Sequence, residues 1–139
     1  MNIHNKNIVI TGAANGIGHA LAKRIIQESP KSISLIDINS SVNEVARSMN
    51  ADSYVVDVSN ENDFQSVLNS IIDKNNSIDL FCSNAGIQQF GTLETSTSDW
   101  QKNWDVNVMS HIHAAKVLIP HMQKQGSGYI MLTVSAAGL

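Results

Sequence analysis

The stretch NIVITGAANGIG, Asn7 to Gly18, joins an apolar run to a glycine-rich turn. Its first part, Asn7–Thr11, is compact and rich in β-branched residues, which is typical of a buried strand. A helical pattern begins inside the turn, because Ile17, Leu21 and Ile25 recur at four-residue spacing. The stretch therefore predicts a strand that turns sharply into a helix.

The turn itself contains three glycines, Gly12, Gly16 and Gly18. A strand-to-helix turn that holds a dinucleotide needs residues without Cβ at three places: where the backbone bends, where the pyrophosphate approaches the main chain, and where the helix packs on the strand. The helix start, around Asn15 and Ile17, would then present N–H groups and a partial positive charge to the phosphates. For the glycines alone, a turn that binds no ligand remains the alternative.

The same order of elements continues along the chain. Further strands are predicted at Ser32–Ile36, Ser53–Val56, Ile78–Cys82 and Tyr129–Val134. Helices are predicted from apolar residues at helical spacing: Val42, Val45 and Met49, then Phe64, Leu68 and Ile71, then Trp104, Val108, Ile112, Ala115 and Ile119. Strict alternation implies parallel strands, right-handed crossovers and helices on both faces. We therefore expect an α/β fold with a Rossmann-type doubly wound parallel sheet.

Two further features bear on the ligand. Asp37 ends the second strand roughly 20 residues beyond the glycine loop, where a carboxylate can accept hydrogen bonds from the adenosine ribose. It would repel a 2′-phosphate, and neither Asn15 nor Ile38 supplies an offsetting positive charge, so NAD is predicted over NADP. The irregular stretch Gly86 to Asp99 follows the fourth strand, at the edge where ligands bind. The alternative for Asp37 is that it only caps a turn or the next helix.

Composition excludes several classes of protein. The 139 residues are 42% hydrophobic and 15% charged, as in ordinary globular domains, and the formal charge is −3 without any cluster of Lys and Arg. We therefore expect no nucleic-acid partner. No window approaches the ~18 apolar residues of a membrane span, and the run Ile8 to Ile10 is too short for a signal-peptide core. No membrane partner and a cytoplasmic location are the resulting predictions.

Cysteine and histidine offer no further chemistry. The single cysteine, Cys82, stands in an apolar run and is predicted to be buried in a strand rather than reactive. His111 and His113 are two residues apart on a predicted helix, so they point to different faces and cannot share a metal. We predict no metal site.

With these features in place, the sequence resembles the short-chain dehydrogenases/reductases. TGAANGIG is similar to the family's Thr-Gly-x-x-x-Gly-x-Gly cofactor loop. Further matches follow in the family's order: VVDVSN at Val55–Asn60, SNAG at Ser83–Gly86, DVNVMS at Asp105–Ser110, and finally VSAAGL, which resembles the segment of the catalytic serine. Ser83 departs from the asparagine that the family often has there, and Leu132 and Val134 replace polar residues common before the serine.

The resemblance implies roles for individual residues. Asp57 and the backbone of Val58 would contact the adenine ring, and the turn Asn84–Ala85–Gly86 would flank the cofactor ribose and steady the sheet. Asn107 corresponds to the helix asparagine that holds a water in a proton relay, and Ser135 to the serine that hydrogen-bonds the substrate oxygen. The residues expected to bind the cofactor are Gly12, Asn15, Gly16, Ile17, Gly18, Asp37, Asp57, Val58, Asn84, Ala85 and Gly86.

The family's chemistry is hydride transfer between nicotinamide and an alcohol or carbonyl carbon, with tyrosine as the acid/base and lysine lowering its pKa. That Tyr-x-x-x-Lys pair lies downstream of the serine and is absent here, because neither Tyr54 nor Tyr129 has a lysine four residues later. The resemblance therefore implies one NAD(P)-binding domain, residues 1–139, truncated after the fifth strand and inactive alone. Its open last strand and helix should favour self-association, and the full-length form should be a homo-oligomer. The alternative is a non-catalytic NAD-binding or interaction module.

Overall fold

The computed structural model describes residues 2–88 and 91–135. Its strands are β1 Asn7–Thr11, β2 Ser32–Asp37, β3 Asp52–Val55, β4 Leu80–Ser83 and β5 Tyr129–Leu132. Its helices are α1 Gly16–Ile26, α2 Val42–Ser48, α3 Glu61–Asn75, α4 Thr97–Trp104 and α5 Ser110–Gln125. A π-helical turn, Asp105–Met109, joins α4 to α5.

All the strands belong to one parallel sheet in the order β3-β2-β1-β4-β5. The order reverses between β1 and β4, because the chain first adds strands on one side of β1 and then crosses to the other. Ile10 of β1 is in register with Leu35 of β2 and Cys82 of β4, so the carboxyl ends of these strands lie side by side. This is the position at which doubly wound sheets bind ligands.

Helices cover both faces of the sheet, because successive strand residues point to opposite sides. One face packs against α1 and α2, and the residues buried there include Ile8, Ile10, Ile33, Leu35, Ala22, Ile25, Val42, Ala46, Leu80 and Cys82. The other face packs against α3 and α5, and the residues buried there include Val9, Ile36, Phe64, Leu68, Ile71, Phe81, Ala114, Leu118 and Met122. The predicted doubly wound α/β fold is confirmed.

The bounds of several elements differ from the predictions. The β2 strand includes Asp37, whereas β5 ends at Leu132 instead of Val134. The stretch predicted to be irregular up to Asp99 already becomes helical at Thr97. The reason is a local cap: the Ser96 hydroxyl oxygen accepts a hydrogen bond from the Asp99 N–H at 3.2 Å. Residues 89 and 90 of this stretch and residues 136–139 lie outside the described residues.

The single helix predicted from Trp104 to Ile119 is interrupted by the π turn. Within it, the Ser110 N–H donates to the carbonyl oxygen of Asp105, five residues back. The inward face of α5 consists of Ser110, His113, Ala114, Leu118 and Met122. The apolar residues of the predicted stripe instead lie outside, with Trp104 55%, Ile112 43% and Ile119 47% exposed.

Within residues 2–88 and 91–135, no helix is both long enough and apolar enough to cross a bilayer.

Candidate functional site

Two glycines let β1, α1 and the turn after β4 pack very closely. Gly12 leaves β1 with a φ of +66°, which L residues rarely adopt, and a Cβ there would lie 2.9 Å from the Ala85 Cα. A Cβ at Gly18 would collide with the carbonyl oxygen of Gly12 and lie 2.7 Å from Nδ2 of Asn84. No side chain fits at either position without moving the backbone.

Gly16 differs, because it faces open space. Its φ is +54°, and a Cβ there would have no other heavy atom within 4 Å. Gly16 begins α1, and Asn15 before it makes no side-chain capping bond to the helix. The first turn contains no acidic residue, so the N–H groups at the start of α1 keep their partial positive charge. The surroundings of Gly16 therefore suit an anionic group.

Asp37 links the end of β2 to the glycine loop. Its Oδ2 accepts a hydrogen bond from the Ala14 N–H at 2.9 Å, and its Oδ1 accepts one from the Asn39 N–H at 2.9 Å. The carboxylate thus caps a turn, as the alternative interpretation expected, and also fixes the loop. Each of its oxygens has a second lone pair for a ligand hydroxyl.

Asn84 connects the ends of three strands. Its side-chain amide donates to the carbonyl oxygen of Thr11 at 3.2 Å, and its Oδ1 accepts from the Thr133 hydroxyl at 3.0 Å. The Thr11 hydroxyl oxygen accepts from the N–H groups of Asn84 and Ala85 at 2.9 and 3.0 Å. The turn predicted to steady the sheet is therefore bonded to β1 and to the chain just beyond β5.

Asn107 lies in the π turn and holds the main chain that follows Gly86. Its Oδ1 accepts from the Ile87 N–H at 2.9 Å, and its Nδ2 donates to the Ile87 carbonyl oxygen at 2.9 Å. A Cβ at Gly86 would lie 3.2 Å from that Oδ1. Asn107 and the Asn84–Ala85–Gly86 turn, predicted from separate motifs, are therefore neighbours.

Asp57 organises the loop after β3. Its Oδ1 accepts from both the N–H and the hydroxyl of Ser59, at 2.9 and 2.7 Å. The carbonyl oxygen of Val58 lies 3.4 Å from Nδ1 of His113 in α5. This loop is thus held by its own side chains and by the helix behind it.

These segments enclose a cleft of about 560 Å³ at the carboxyl edge of the sheet. It is lined by every residue predicted to bind the cofactor except Gly18: Gly12, Asn15, Gly16, Ile17, Asp37, Asp57, Val58, Asn84, Ala85 and Gly86. Gly18 is buried beneath the loop instead. The sequence motifs therefore converge on one concave surface.

Other lining residues were not predicted. They are Ile38, Val56, Ile87, Lys102, Val106 and Thr133. A signal existed for Lys102 and Val106, since their spacing of four residues places both on one helical face just before Asn107. Lys102 matters most: the sequence indicated no cation near this cleft, yet its lining includes one. Among residues 2–88 and 91–135, Lys102 forms no ion pair.

Ser135 and the tyrosines lie outside the lining of the cleft. Ser135 is exposed and follows β5 by three residues, whereas Thr133 reaches the cleft. Tyr54 belongs to the edge strand β3, where burial, and secondarily Asp52, raise its pKa. Tyr129 begins β5. A phenol with a raised pKa is a poor base, so Tyr54 is unsuited to acid/base chemistry.

The cysteine and histidines occupy structural positions. Cys82 is fully buried in β4, and burial raises the pKa of its thiol to about 11. His111 contacts Ser83, while His113 contacts Val58 and lies 3.8 Å from a Glu61 oxygen. The two rings thus have different partners. Within the part of the chain that the structure describes, no three His, Cys, Asp or Glu side chains are grouped as metal ligands.

Solved structures share this arrangement. The chain aligns with a short chain dehydrogenase/reductase from Burkholderia phymatum in complex with NAD at a TM-score of 0.92 and 29% identity, covering 99% of this chain and 52% of that one. It aligns equally well, at 0.92 and 28% identity, with L-sorbose reductase from Gluconobacter frateurii complexed with NADPH and L-sorbose, covering 100% of this chain and 56% of that one.

Sequence comparison agrees. A curated relative, meso-2,3-butanediol dehydrogenase of Serratia marcescens, is 34% identical over 143 residues, which span 100% of this chain and 57% of the relative. The chain thus covers little more than half the length of the proteins that it matches. The family model for short chain dehydrogenases matches residues 6–139. The chain therefore belongs to the short-chain dehydrogenase/reductase family of oxidoreductases.

Proposed function

We propose that the chain is the cofactor-binding part of an NAD-dependent oxidoreductase that transfers hydride between nicotinamide and a small alcohol or carbonyl substrate. The observation that carries the proposal is the cleft of about 560 Å³, in which the glycine loop, the start of α1 and Asp37 converge. Two neighbours of the same fold are described with NAD and with NADPH, so a nicotinamide cofactor suits the family.

The loop residues fit the pyrophosphate of such a cofactor. Gly16 leaves open the space that a side chain would fill, and the N–H groups at the start of α1 are donors for phosphate oxygens. Asn15 and Ile17 line the same part of the cleft. Gly12 and Gly18 act indirectly, because they permit the close packing on which the shape of the loop depends.

The opposite end of the cleft fits adenosine. Ile38 and Val58 offer apolar surface to the adenine ring, beside the carboxylate of Asp57. Asp37 would accept hydrogen bonds from the ribose hydroxyls and repel a 2′-phosphate. Lys102 works against this repulsion, but Asp37 is fixed by two main-chain bonds whereas Lys102 is an exposed side chain. We therefore propose that NAD is preferred.

When bound, the nicotinamide ring supplies the hydride acceptor or donor. We propose that Ser135 hydrogen-bonds the substrate oxygen and that Asn107 holds a water of the proton relay. Both polar atoms of the Asn107 side chain are bonded to the main chain of Ile87. The general acid/base is not among these 139 residues, since neither tyrosine is followed by the required lysine. Loss of a positioned acid/base costs about 10²–10⁴-fold in rate, so this chain by itself should be inactive.

We make further proposals about the oligomeric state, location and partners of the protein. The outward apolar residues of α4 and α5 are suited to contact with another subunit, which supports a homo-oligomer in the full-length form. We also propose a cytoplasmic location, as expected from the sequence. Membrane and nucleic-acid partners have no part in the proposal.

Isothermal titration of the chain with NAD and with NADP tests the proposal. We expect both to bind and NAD to bind more tightly. A chain that binds neither would refute cofactor binding, and one that prefers NADP would refute the assignment of Asp37. Binding of NAD without any contribution to catalysis when the chain is completed would favour the non-catalytic module instead.

A further inference from the structure

A buried hydroxyl and a histidine form a short contact behind the cleft. Oγ of Ser83 lies 2.6 Å from Nδ1 of His111. Ser83 is the last residue of β4 and only 3% exposed, and His111 is half-buried near the start of α5. Neither residue lines the cleft, and the proposed chemistry uses neither. The contact therefore needs another explanation.

The His111 ring also lies near Asn107, the residue that bonds the main chain of Ile87. A main-chain group of Asn107, four residues earlier, acts on the ring and raises its pKa. Asn107 in turn bonds both the N–H and the carbonyl oxygen of Ile87. The contact between Ser83 and His111 therefore ties β4 to the helical segment that carries Asn107, and Asn107 bonds a residue in the lining of the cleft.

The π turn explains why such support is needed. Because its hydrogen bonds run to residues five positions apart, the ordinary helical ladder is broken at this point. Two side chains at the start of α5 support the backbone here: the Ser110 hydroxyl donates to the Val106 carbonyl oxygen at 2.7 Å, and the His111 ring contacts Ser83 of β4. The conformation around Asn107 thus depends on side chains as well as on the backbone.

The His111 ring is suited to a hydrogen bond with the Ser83 hydroxyl. Burial lowers the pKa of His111, against the smaller opposing effect of the Asn107 main chain, so the imidazole is neutral near pH 7. A neutral imidazole offers one donor and one acceptor nitrogen, so Nδ1 can bond the Ser83 hydroxyl in either tautomer. Phenylalanine has the same planar shape but offers neither.

We propose that His111, anchored by Ser83, is a positioning residue: it holds the π turn against the end of β4 so that Asn107 fixes the Ile87 main chain beside the cofactor turn. The inference rests on the proposed function, because the turn at Asn84 to Gly86 is where the cofactor ribose would lie. It adds to that function a specific cause for the placement of Asn107.

The direct test is amide hydrogen exchange on His111→Phe and Ser83→Ala. Both variants should exchange the Ile87 amide about 3- to 10-fold faster than the original chain, while amides in β1 keep their protection. His111→Asn, which keeps a polar group, should recover part of the protection. His121→Phe is the matched control on the same helix, since Nε2 of His121 has no hydrogen-bond partner within residues 2–88 and 91–135.

Ligand binding supplies the second readout. We take the ribose at the Asn84 turn to be the one attached to nicotinamide, which AMP lacks. His111→Phe should therefore weaken the binding of NAD about 3- to 10-fold and leave the binding of AMP unchanged. A general loss of stability would weaken the binding of both NAD and AMP. Ser83→Ala removes a single oxygen, so it keeps the test available if His111→Phe does not fold.

The outcomes distinguish a failure of the proposed function from a failure of the positioning role of His111. If the original chain binds no NAD, the proposed function fails, and the exchange of the Ile87 amide still decides whether His111 positions Asn107. If that amide exchanges equally in all variants, or if NAD and AMP weaken together, the positioning role is wrong.

Discussion

At the scale of single residues, Asp37 fixes the glycine loop and carries the proposed preference for NAD. Its two oxygens hold Ala14 and Asn39, so its charge is fixed at one end of the cleft. Asp37→Asn keeps the shape and removes the charge, but its amide can accept at only one of the two N–H groups. We expect NAD to bind about 3- to 10-fold more weakly and its preference over NADP to narrow. Calorimetric titration with both cofactors measures each effect.

A substitution of Lys102 should have the opposite effect in the same calorimetric titration. It is a cation in the lining of the cleft, and only NADP carries the extra phosphate that it would attract. Lys102→Gln should therefore widen the preference for NAD. If Asp37→Asn and Lys102→Gln both narrow the difference in affinity between NAD and NADP, charge does not set the preference.

Two glycines should respond differently to the same substitution. In Gly18→Ala the new methyl group meets the Gly12 carbonyl oxygen, so we expect a loss of about 1–3 kcal/mol in the free energy of unfolding. In Gly16→Ala the methyl group enters open space, with a conformational cost of about 1–2 kcal/mol, but it fills the place proposed for pyrophosphate.

Urea unfolding and NAD titration distinguish these cases. Gly16→Ala should lose NAD binding out of proportion to its loss of stability. Equal losses of binding in the two variants, once compared at equal folded fraction, would argue that Gly16 has only a conformational role.

The sequence could predict some site residues and not others. Gly12 and Gly16, which line the cleft, were predictable because one local turn sets their spacing, whereas Gly18 of the same motif lies beneath the loop. Lys102 and Thr133 were not, because they reach the cleft only through the packing of distant elements. The contact between Ser83 and His111 was hidden for the same reason, since β4 and α5 meet only in the folded chain.

At the scale of elements, β4 carries a buried thiol that links stability to pH. The pKa of Cys82 is raised by burial from 9.0 to about 11. The unfolded thiol therefore ionises first, and the contribution of Cys82 to the free energy of unfolding should be constant well below pH 9 and fall as the pH rises from about 9 to about 11. The expected loss is at most about 3 kcal/mol.

Comparison of the chain with Cys82→Ala isolates this effect from other groups that titrate in alkali. The difference in the free energy of unfolding between the two, measured by urea denaturation from pH 8 to about pH 11, should shrink as the pH rises. A difference that is independent of pH would mean that the thiol ionises equally well in both states.

The helices show where sequence periodicity reaches its limit. Apolar residues from Trp104 to Ile119 recur at helical spacing, which correctly predicted a helical segment. The π turn could not be read from this pattern, because it alters the backbone without changing the residue types. The burial of His113 and the exposure of Ile112 follow from packing against α3 and the sheet.

At the scale of the whole molecule, alternation of strands and helices was sufficient to predict a doubly wound parallel sheet. The strand order was not contained in the alternation, since each new strand can be added on either side of the sheet. It is this order that places β1 beside β4 and so creates the cleft between their carboxyl ends. Local patterns thus predicted the elements, and chain topology decided the site.

The exposed apolar surface predicts self-association. Trp104, Ile112 and Ile119 point outward from the α4 to α5 segment, and β5 is an edge strand of the described sheet. Sedimentation velocity should therefore show association that increases across micromolar concentrations. The double variant Ile112→Lys and Ile119→Lys should reduce it, whereas Gln123→Lys, on an exposed part of the same helix, should not. A strictly monomeric chain would contradict the prediction.

The final prediction concerns catalysis by the completed fold. The 139 residues alone should show no change in nicotinamide absorbance with a panel of alcohols and ketones. In our proposal they lack the general acid/base and part of the substrate pocket, and alignment of the two reactants alone contributes up to roughly 7–11 kcal/mol. The matched protein is a chimaera that joins them to the carboxyl-terminal part of the Serratia marcescens dehydrogenase, in which we expect the family's Tyr-x-x-x-Lys segment.

Turnover should appear in this chimaera and disappear in its Ser135→Ala variant, because the proposed hydrogen bond to the substrate oxygen is then lost. The Asp37→Asn chimaera should stay active and use NADP better than before. Turnover by the short chain that survives Ser135→Ala would place the chemistry on other residues. A folded chimaera that binds NAD but never reacts would instead favour the non-catalytic module, since the cleft would then hold a cofactor without delivering it to a substrate.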